Sequence, residues 1–168
     1  MRETPLIVYN IPYRTGRMLS AGTLLRLAGV PGIIGVKHAS GAVDQDTMLL
    51  MAGLPMAARP GGFAVLAGDD MFAAPLLALG AAGGITASAH VRTSEFVDLI
   101  AAWQAGHVGQ ARDLGHRLAP LSAALYAEPN PTVIKGVLHA QGRIPSPAVR
   151  LPLLPASQDS VRAAASLL

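Results

Sequence analysis

Residues 31–40 read PGIIGVKHAS: an apolar run, Ile33-Ile34-Gly35-Val36, opened by proline and glycine and stopped abruptly at Lys37. A short β-branched run bounded by turn residues is how a strand buried on both faces looks in sequence. The stretch beginning at Asp44, QDTMLLMA to about Gly53, has helical spacing, so a helix follows this strand at once.

The same unit recurs on either side. LIVYN at 6–10, bounded by Pro5 and Pro12, reads as a buried parallel strand, followed by the loop IPYRTG and a helix over 20–29 with Ser20 as its cap. FAVLAG at 63–68 is a third strand, leading through Asp69-Asp70 into the helical MFAAPLLALGA. GGITAS at 83–88 is the fourth. Strand-then-helix repetition with short loops is the signature of βαβ crossovers and a parallel sheet. The segment 54–62, LPMAARPGG, is longer and reads as a surface connection. Beyond about residue 93 the pattern changes: TSEFVDLIAAWQAG, HVGQARDLGHRLAPLSAALYA, PTVIKGVLHAQG and SQDSVRAAASLL all carry helical spacing. The expected organisation is a β/α region over 1–92 continued without a linker by a helical region over 93–168.

Composition agrees with an α/β class. Of 168 residues, 51% are hydrophobic and 14% charged, enough apolar material for one ordinary domain, and aromatics are only 4%, which suits helix-on-strand packing. The formal charge of +3 comes from scattered arginines and lysines with no basic run, so nucleic acid is not an expected partner. There is no cysteine, which removes disulfide and thiolate chemistry. No apolar run reaches the roughly 18 residues needed to cross a bilayer, and the N-terminal segment lacks the order of a signal peptide. A cytoplasmic protein with no membrane partner is expected. The five histidines, at 38, 90, 107, 116 and 139, show no ligand spacing, and no metal is expected.

In parallel β/α architectures reacting groups gather where strands end. Here those ends offer Tyr9 and Asn10, Arg14 in the following loop, Lys37, Gly68 with Asp69-Asp70, and the glycines before Ile85. Tyrosine, lysine and arginine at one rim suit a 2-oxo acid: a carboxylate wants a cation, and a ketone can meet an amine. A lysine desolvated at the mouth of an apolar barrel holds its proton less tightly, and the imine it forms stabilises an adjacent carbanion as an enamine. Tyr9 can carry protons across the rim and Arg14 can grip a carboxylate in a two-pronged contact. Each residue also has a plainer reading. A strand-terminal lysine marks the point where a buried segment reaches water, a tyrosine is most often core, and a loop arginine is most often solvated. Asp69-Asp70 before an apolar helix reads as an N-cap rather than a magnesium site, and the glycines near Ile85 lack a phosphate-loop spacing.

YNIPYRTG at 9–16, GIIGVKHASG at 32–41, LAGDDMFAAPLLALGAAGGITASAHV at 66–91 and EPNPTVIKGVL at 128–138 together resemble the second half of the dihydrodipicolinate synthase/N-acetylneuraminate lyase family. The resemblance implies a partial (β/α)8 TIM barrel, its last four strands, followed by C-terminal helices. It implies class I aldolase-type lyase chemistry with no cofactor beyond a Schiff base on Lys37. By the same match Lys37 is the lysine that forms the imine with pyruvate or another 2-oxo acid, and Tyr9 the tyrosine that shuttles protons. Arg14 matches the arginine that binds the carboxylate of aspartate semialdehyde in the synthase branch, and Gly68 and Ile85 match backbone positions lining the pocket. An aldolase for another 2-oxo sugar acid is the nearest alternative, and a non-catalytic half-barrel module the alternative of a different kind.

The family's first four β/α units, with their carboxylate-gripping loop and a second tyrosine from a neighbouring subunit, have no counterpart in the sequence. Four strands cannot close a barrel, so the outer strands are expected to expose backbone and inner faces. A fragment of a longer product, or completion by a second copy or a complementing N-terminal half, is the expectation, with low activity for this chain alone.

Overall fold

The computed structural model describes residues 4–54 and 62–168. Two compact units emerge, Met1–Ile85 and Thr86–Leu168. Residues 55–61 of the expected surface connection lie outside the described residues.

The first unit holds four strands, β1 (Leu6–Asn10), β2 (Ile33–His38), β3 (Ala64–Ala67) and β4 (Gly83–Gly84), all parallel and in the order β1-β2-β3-β4. Between them run a helical turn α1 (Pro12–Thr15) and helices α2 (Ala21–Leu27), α3 (Gln45–Gly53) and α4 (Ala73–Ala78). The Ser20 cap forms as expected, and Asp44, where the next helix was expected to begin, proves to be a cap as well. Ser20 accepts from the Thr23 N–H at the start of α2, and Asp44 accepts from the Thr47 N–H at the start of α3. Strand residues alternate between two faces. Val36 and Val65 enter a core with Ala21, Leu24, Leu50 and Met51, and Val8 packs against it, so this face of the sheet is closed by α2 and α3.

Several expectations are corrected. β1 was expected to be covered on both faces, yet Leu6, Ile7 and Tyr9 are all exposed. It pairs only with β2, and its inner face carries no cover among the described residues, as expected for an open half-barrel. The IPYRTG loop contains a helical turn, started by Pro12 and closed by Gly16 at φ +69, whose N–H returns to the Pro12 carbonyl. The fourth strand pairs over only two residues: after Gly84 the Ile85 N–H still reaches the Ala67 carbonyl at 2.8 Å, then the chain turns into a 3-10 segment, Ser88–His90. Asp69 makes no cap bond to the short helical segment after it. Its carboxylate takes the Gly41 N–H at 2.7 Å instead, tying the loop after β2 to the loop after β3.

The second unit is helical, with α5 (Thr93–Gln104), α6 (Val108–Leu125), α7 (Thr132–Ala140) and α8 (Gln158–Ala165), and no strand among its residues. Helices α5 and α6 pack against each other inside this unit, burying Phe96 and Leu99 of the one and Leu114, Leu118 and Leu125 of the other. α7 meets α8 at Gly136, where a β-carbon would come within 2.5 Å of Val161 Cγ2, so only glycine permits that approach.

Candidate functional site

The sheet register assembles the site. Tyr9 is paired with Lys37, Lys37 with Leu66, and Leu66 with Gly83, so these four stand in one row across the face opposite the helix-packed core. Within that row the Lys37 Nζ sits 4.2 Å from the centre of the Tyr9 ring. That is close enough for a cation–π attraction, which holds the amine beside the phenol.

Gly68, one step beyond this row, makes room for the lysine. A β-carbon at 68 would fall 2.9 Å from Ala39 Cβ, 2.9 Å from the His38 carbonyl oxygen and 2.9 Å from Lys37 Cγ. The Gly68 N–H also donates to the His38 carbonyl at 2.8 Å, continuing the ladder past the last strand residue. Ile85 is anchored through its backbone, as above, and its side chain is exposed. Of the five residues singled out in sequence, Lys37, Tyr9 and Gly68 thus meet at one place and Ile85 lies on the neighbouring strand end. Arg14 belongs to α1 rather than to the sheet, and its guanidinium lies 5.8 Å from the ring of Tyr13. Burial raises the Tyr13 phenol above its ordinary value, with the Asp69 carboxylate and Tyr9 pushing the same way. Tyr13 is therefore held protonated near the rim.

Behind the row lies a polar cluster that the sequence reading did not single out. Asn10 and His38 follow Tyr9 and Lys37 by one residue and therefore face the helices, where both are buried. The Asn10 side chain makes a two-way bond with Leu19: its amide N–H donates to the Leu19 carbonyl at 3.2 Å, and its oxygen accepts from the Leu19 N–H at 3.1 Å. The same amide nitrogen lies 3.4 Å from His38 Nδ1, and His38 Nε2 lies 3.0 Å from the Thr47 hydroxyl. That hydroxyl donates to Asp44 at 2.7 Å. Burial lowers the basicity of His38, outweighing the opposing pull of Asp44, Asp69 and Asp46. Burial raises Asp44, but the Thr47 N–H and hydroxyl outweigh it and hold that carboxyl below its usual range. Asp69 is held above its usual range, chiefly by burial, against the lowering pull of the Gly41 N–H. The signal in sequence is two polar residues at the ends of apolar strands, each out of step with its reactive neighbour by one position.

No three of His, Cys, Asp and Glu gather into a ligand set among the described residues. No helix among them is long and apolar enough to cross a membrane.

A parallel sheet with helices on one face, an amine at a central strand end and a phenol across from it, makes up half of a (β/α)8 barrel. The chain belongs to the dihydrodipicolinate synthetase family, whose model matches residues 1–168. It is 40% identical over 154 residues to 4-hydroxy-tetrahydrodipicolinate synthase 2 of Clostridium acetobutylicum, covering 92% of this chain and 52% of that protein. The dihydrodipicolinate synthase of Thermotoga maritima superposes with a TM-score of 0.89 at 32% identity, over 99% of this chain and 56% of the other. The chloride-inhibited synthase of Acinetobacter baumannii, solved with pyruvate, gives a TM-score of 0.87 at 36% identity, over 98% and 54%. The chain thus spans about half the length of the relatives it matches.

Proposed function

We propose that this chain carries the imine-forming part of a dihydrodipicolinate synthase-type site, with pyruvate as the 2-oxo acid and aspartate semialdehyde as the aldehyde. The Lys37 amine attacks the ketone carbon, the new C–N bond replaces the C–O bond, and water leaves. The protonated imine then draws electrons from the adjacent methyl carbon, which loses a proton to become an enamine and adds to the aldehyde. Tyr9 carries protons between these steps, and Arg14 receives the carboxylate of the second substrate. The backbone at Gly68 and Ile85 lines the pocket around the adduct. No cofactor beyond the lysine itself takes part, and the working location is the cytoplasm.

One observation carries this reading: the amine of Lys37 lies 4.2 Å over Tyr9, in a row that sequence-distant strands build only when folded. The inner face completing the pocket belongs to a partner, either a second copy or a complementing N-terminal half. Ile7, Tyr9 and Ile85, all 44–45% exposed, are the surface it would cover. Residues 1–92 form the barrel part in this reading and 93–168 the helical part.

Borohydride reduction in the presence of pyruvate, followed by mass spectrometry, tests the proposal. A reduced pyruvyl group on Lys37, lost in Lys37→Arg, is the expected result. Folded protein that gives no adduct at Lys37, alone or with the complementing half, would sink the reading.

A further inference from the structure

The polar cluster behind the row has a hydrogen-bond direction that can be worked out atom by atom. The two-way bond with Leu19 fixes which end of the Asn10 amide is nitrogen, and that nitrogen is the atom facing His38 Nδ1. An amide N–H can only donate, so Nδ1 must be the accepting, unprotonated nitrogen. The ring proton is then on Nε2, where it donates to the Thr47 hydroxyl, which passes its own proton toward Asp44. The Asn10 amide also has Met18 Sδ within 3.7 Å, but a nitrogen that only donates still leaves Nδ1 as the acceptor, and the run through Thr47 to Asp44 requires a neutral imidazole. Adding a proton at Nδ1 would set two donors against each other in a buried place, and Asn10 would have to turn away.

Turning Asn10 has consequences on the other face. Among the described residues β1 pairs with β2 and no other strand, so its end is held from one side of the sheet. Beyond the strand, a single backbone bond from the Ala39 N–H to the Asn10 carbonyl, 2.9 Å, ties the two ends together. The two bonds to Leu19 close the segment 11–18, which includes Arg14. The charged groups around His38 are Asp44 and Asp46 at the start of α3, Asp69 after β3, and Lys37 on its own strand. Each carboxylate already has a backbone partner: Thr47 for Asp44, Ala21 for Asp46 and Gly41 for Asp69.

We propose that His38 is a positioning residue: as a neutral Nε2–H imidazole bonded to Asn10 and Thr47 it latches the ends of β1 and β2, keeping Tyr9 opposite Lys37, and its protonation releases that latch. The inference rests on the imine reading for its importance to chemistry, though the latch can be measured without it. Burial, which favours the neutral ring, agrees with the geometry.

The test is side-chain NMR of the whole chain, titrated downward from about pH 7.5 through the ordinary histidine range and below it until His38 is seen to protonate. Long-range proton–nitrogen correlations report the His38 tautomer. The displacement of the Lys37 methylene signals by the Tyr9 ring, referenced to Tyr9→Leu, reports the pairing on the opposite face. The expected result is an Nε2–H tautomer at the upper pH and loss of most of the Lys37 displacement in step with His38 protonation. His38→Asn keeps an acceptor near the Nδ1 position and should hold the displacement throughout. His38→Gln keeps only the donor toward Thr47 and should have a reduced displacement even at the upper pH. An Nδ1–H tautomer, a Lys37 displacement that does not follow His38, or identical behaviour of the two variants would overturn the proposal, and if the variants fail to fold the unsubstituted chain decides it. Pyruvate and borohydride in parallel separate the two claims. A latch that titrates as described with no Lys37 adduct at any pH removes the imine reading alone, whereas adduct formation indifferent to His38 protonation removes the latch alone.

Discussion

Replacing Gly68 with alanine puts a single methyl group at the point where the lysine passes behind the strand end. The new carbon would stand 2.9 Å from three atoms: the Ala39 β-carbon, the His38 carbonyl oxygen and Lys37 Cγ. Carbon atoms in contact settle at about 3.5–4.0 Å, so the overlap with each carbon is at least about 0.6 Å. Two of the three obstacles are rigid, one being backbone and the other a buried β-carbon at 0% exposure. The lysine stem is the soft one, and the least costly relief swings it away from Tyr9 while the strand ends part slightly. Overpacking of this kind costs about 1–3 kcal/mol. The same change at Gly83, in the Lys37 row, is the control: its β-carbon would meet only Leu66 Cδ2, at an ordinary 3.7 Å.

Urea unfolding of both variants gives the stability arm, with equal m-values required so that midpoints report stability. Gly68→Ala is expected to lose about 1–3 kcal/mol and Gly83→Ala to change by no more than about 0.5 kcal/mol. The Lys37 methylene signals give the positional arm: their displacement by the Tyr9 ring should shrink in Gly68→Ala and persist in Gly83→Ala. If the two variants match in both arms, the claim that Gly68 is kept free of a side chain to seat Lys37 is wrong.

Three further outcomes follow from the same geometry. His38 is held below its unfolded value near 6.5, so the unfolded chain takes up a proton first, and the stability His38 contributes is present above about pH 6.5 and is lost as pH falls through its folded value; thermal melts at stepped pH should fall from that point, and His38→Asn should flatten that limb. Asp69 is shifted upward, the opposite sign, so neutralising it relieves a penalty: Asp69→Asn, which can still accept from Gly41, should match or exceed the parent in urea, while Asp69→Ala should lose about 0.5–1.5 kcal/mol. Leu50→Ala, at a site with 0% exposure between the sheet and α3, should cost about 2–5 kcal/mol by the same assay.

Short β-branched runs bounded by turn residues, and period-3.6 spacing between them, carry most of this fold, because both are local properties of sequence. LIVYN and IIGVK therefore announce strands, and Ser20 and Asp44 announce helix starts, without knowledge of anything distant. β4 is legible only in part, since Gly83-Gly84 has no side chains to form a pattern and its pairing ends after two residues. The reactive row was legible through the family motifs and through Lys37's position at a strand end. Its counterpart behind the sheet was not. The Asn10–His38 contact joins residues 28 positions apart, and depends on a register that only the folded sheet supplies. Asp69 was misread for a related reason: an acidic residue before a helix is a cap by local rule, but here a distant backbone N–H competes for the same carboxylate and wins.

The two faces of β1 and β2 impose opposite electrical requirements on adjacent residues. On the helix-packed face water is excluded, so Asn10 and His38 are tolerated only as neutral groups with every hydrogen bond directed. On the other face Lys37 is half-buried and Tyr9 exposed, so a cation is tolerated there, held over an aromatic ring. Covering that inner face would remove water from the amine, which is the change that makes a lysine nucleophilic. The neutral cluster behind it would be untouched by the cover, because it is already dry. Completion of the barrel should therefore alter the chemistry of Lys37 without disturbing its alignment. A complementing half that raises adduct formation but leaves the His38 tautomer unchanged is the outcome this division requires.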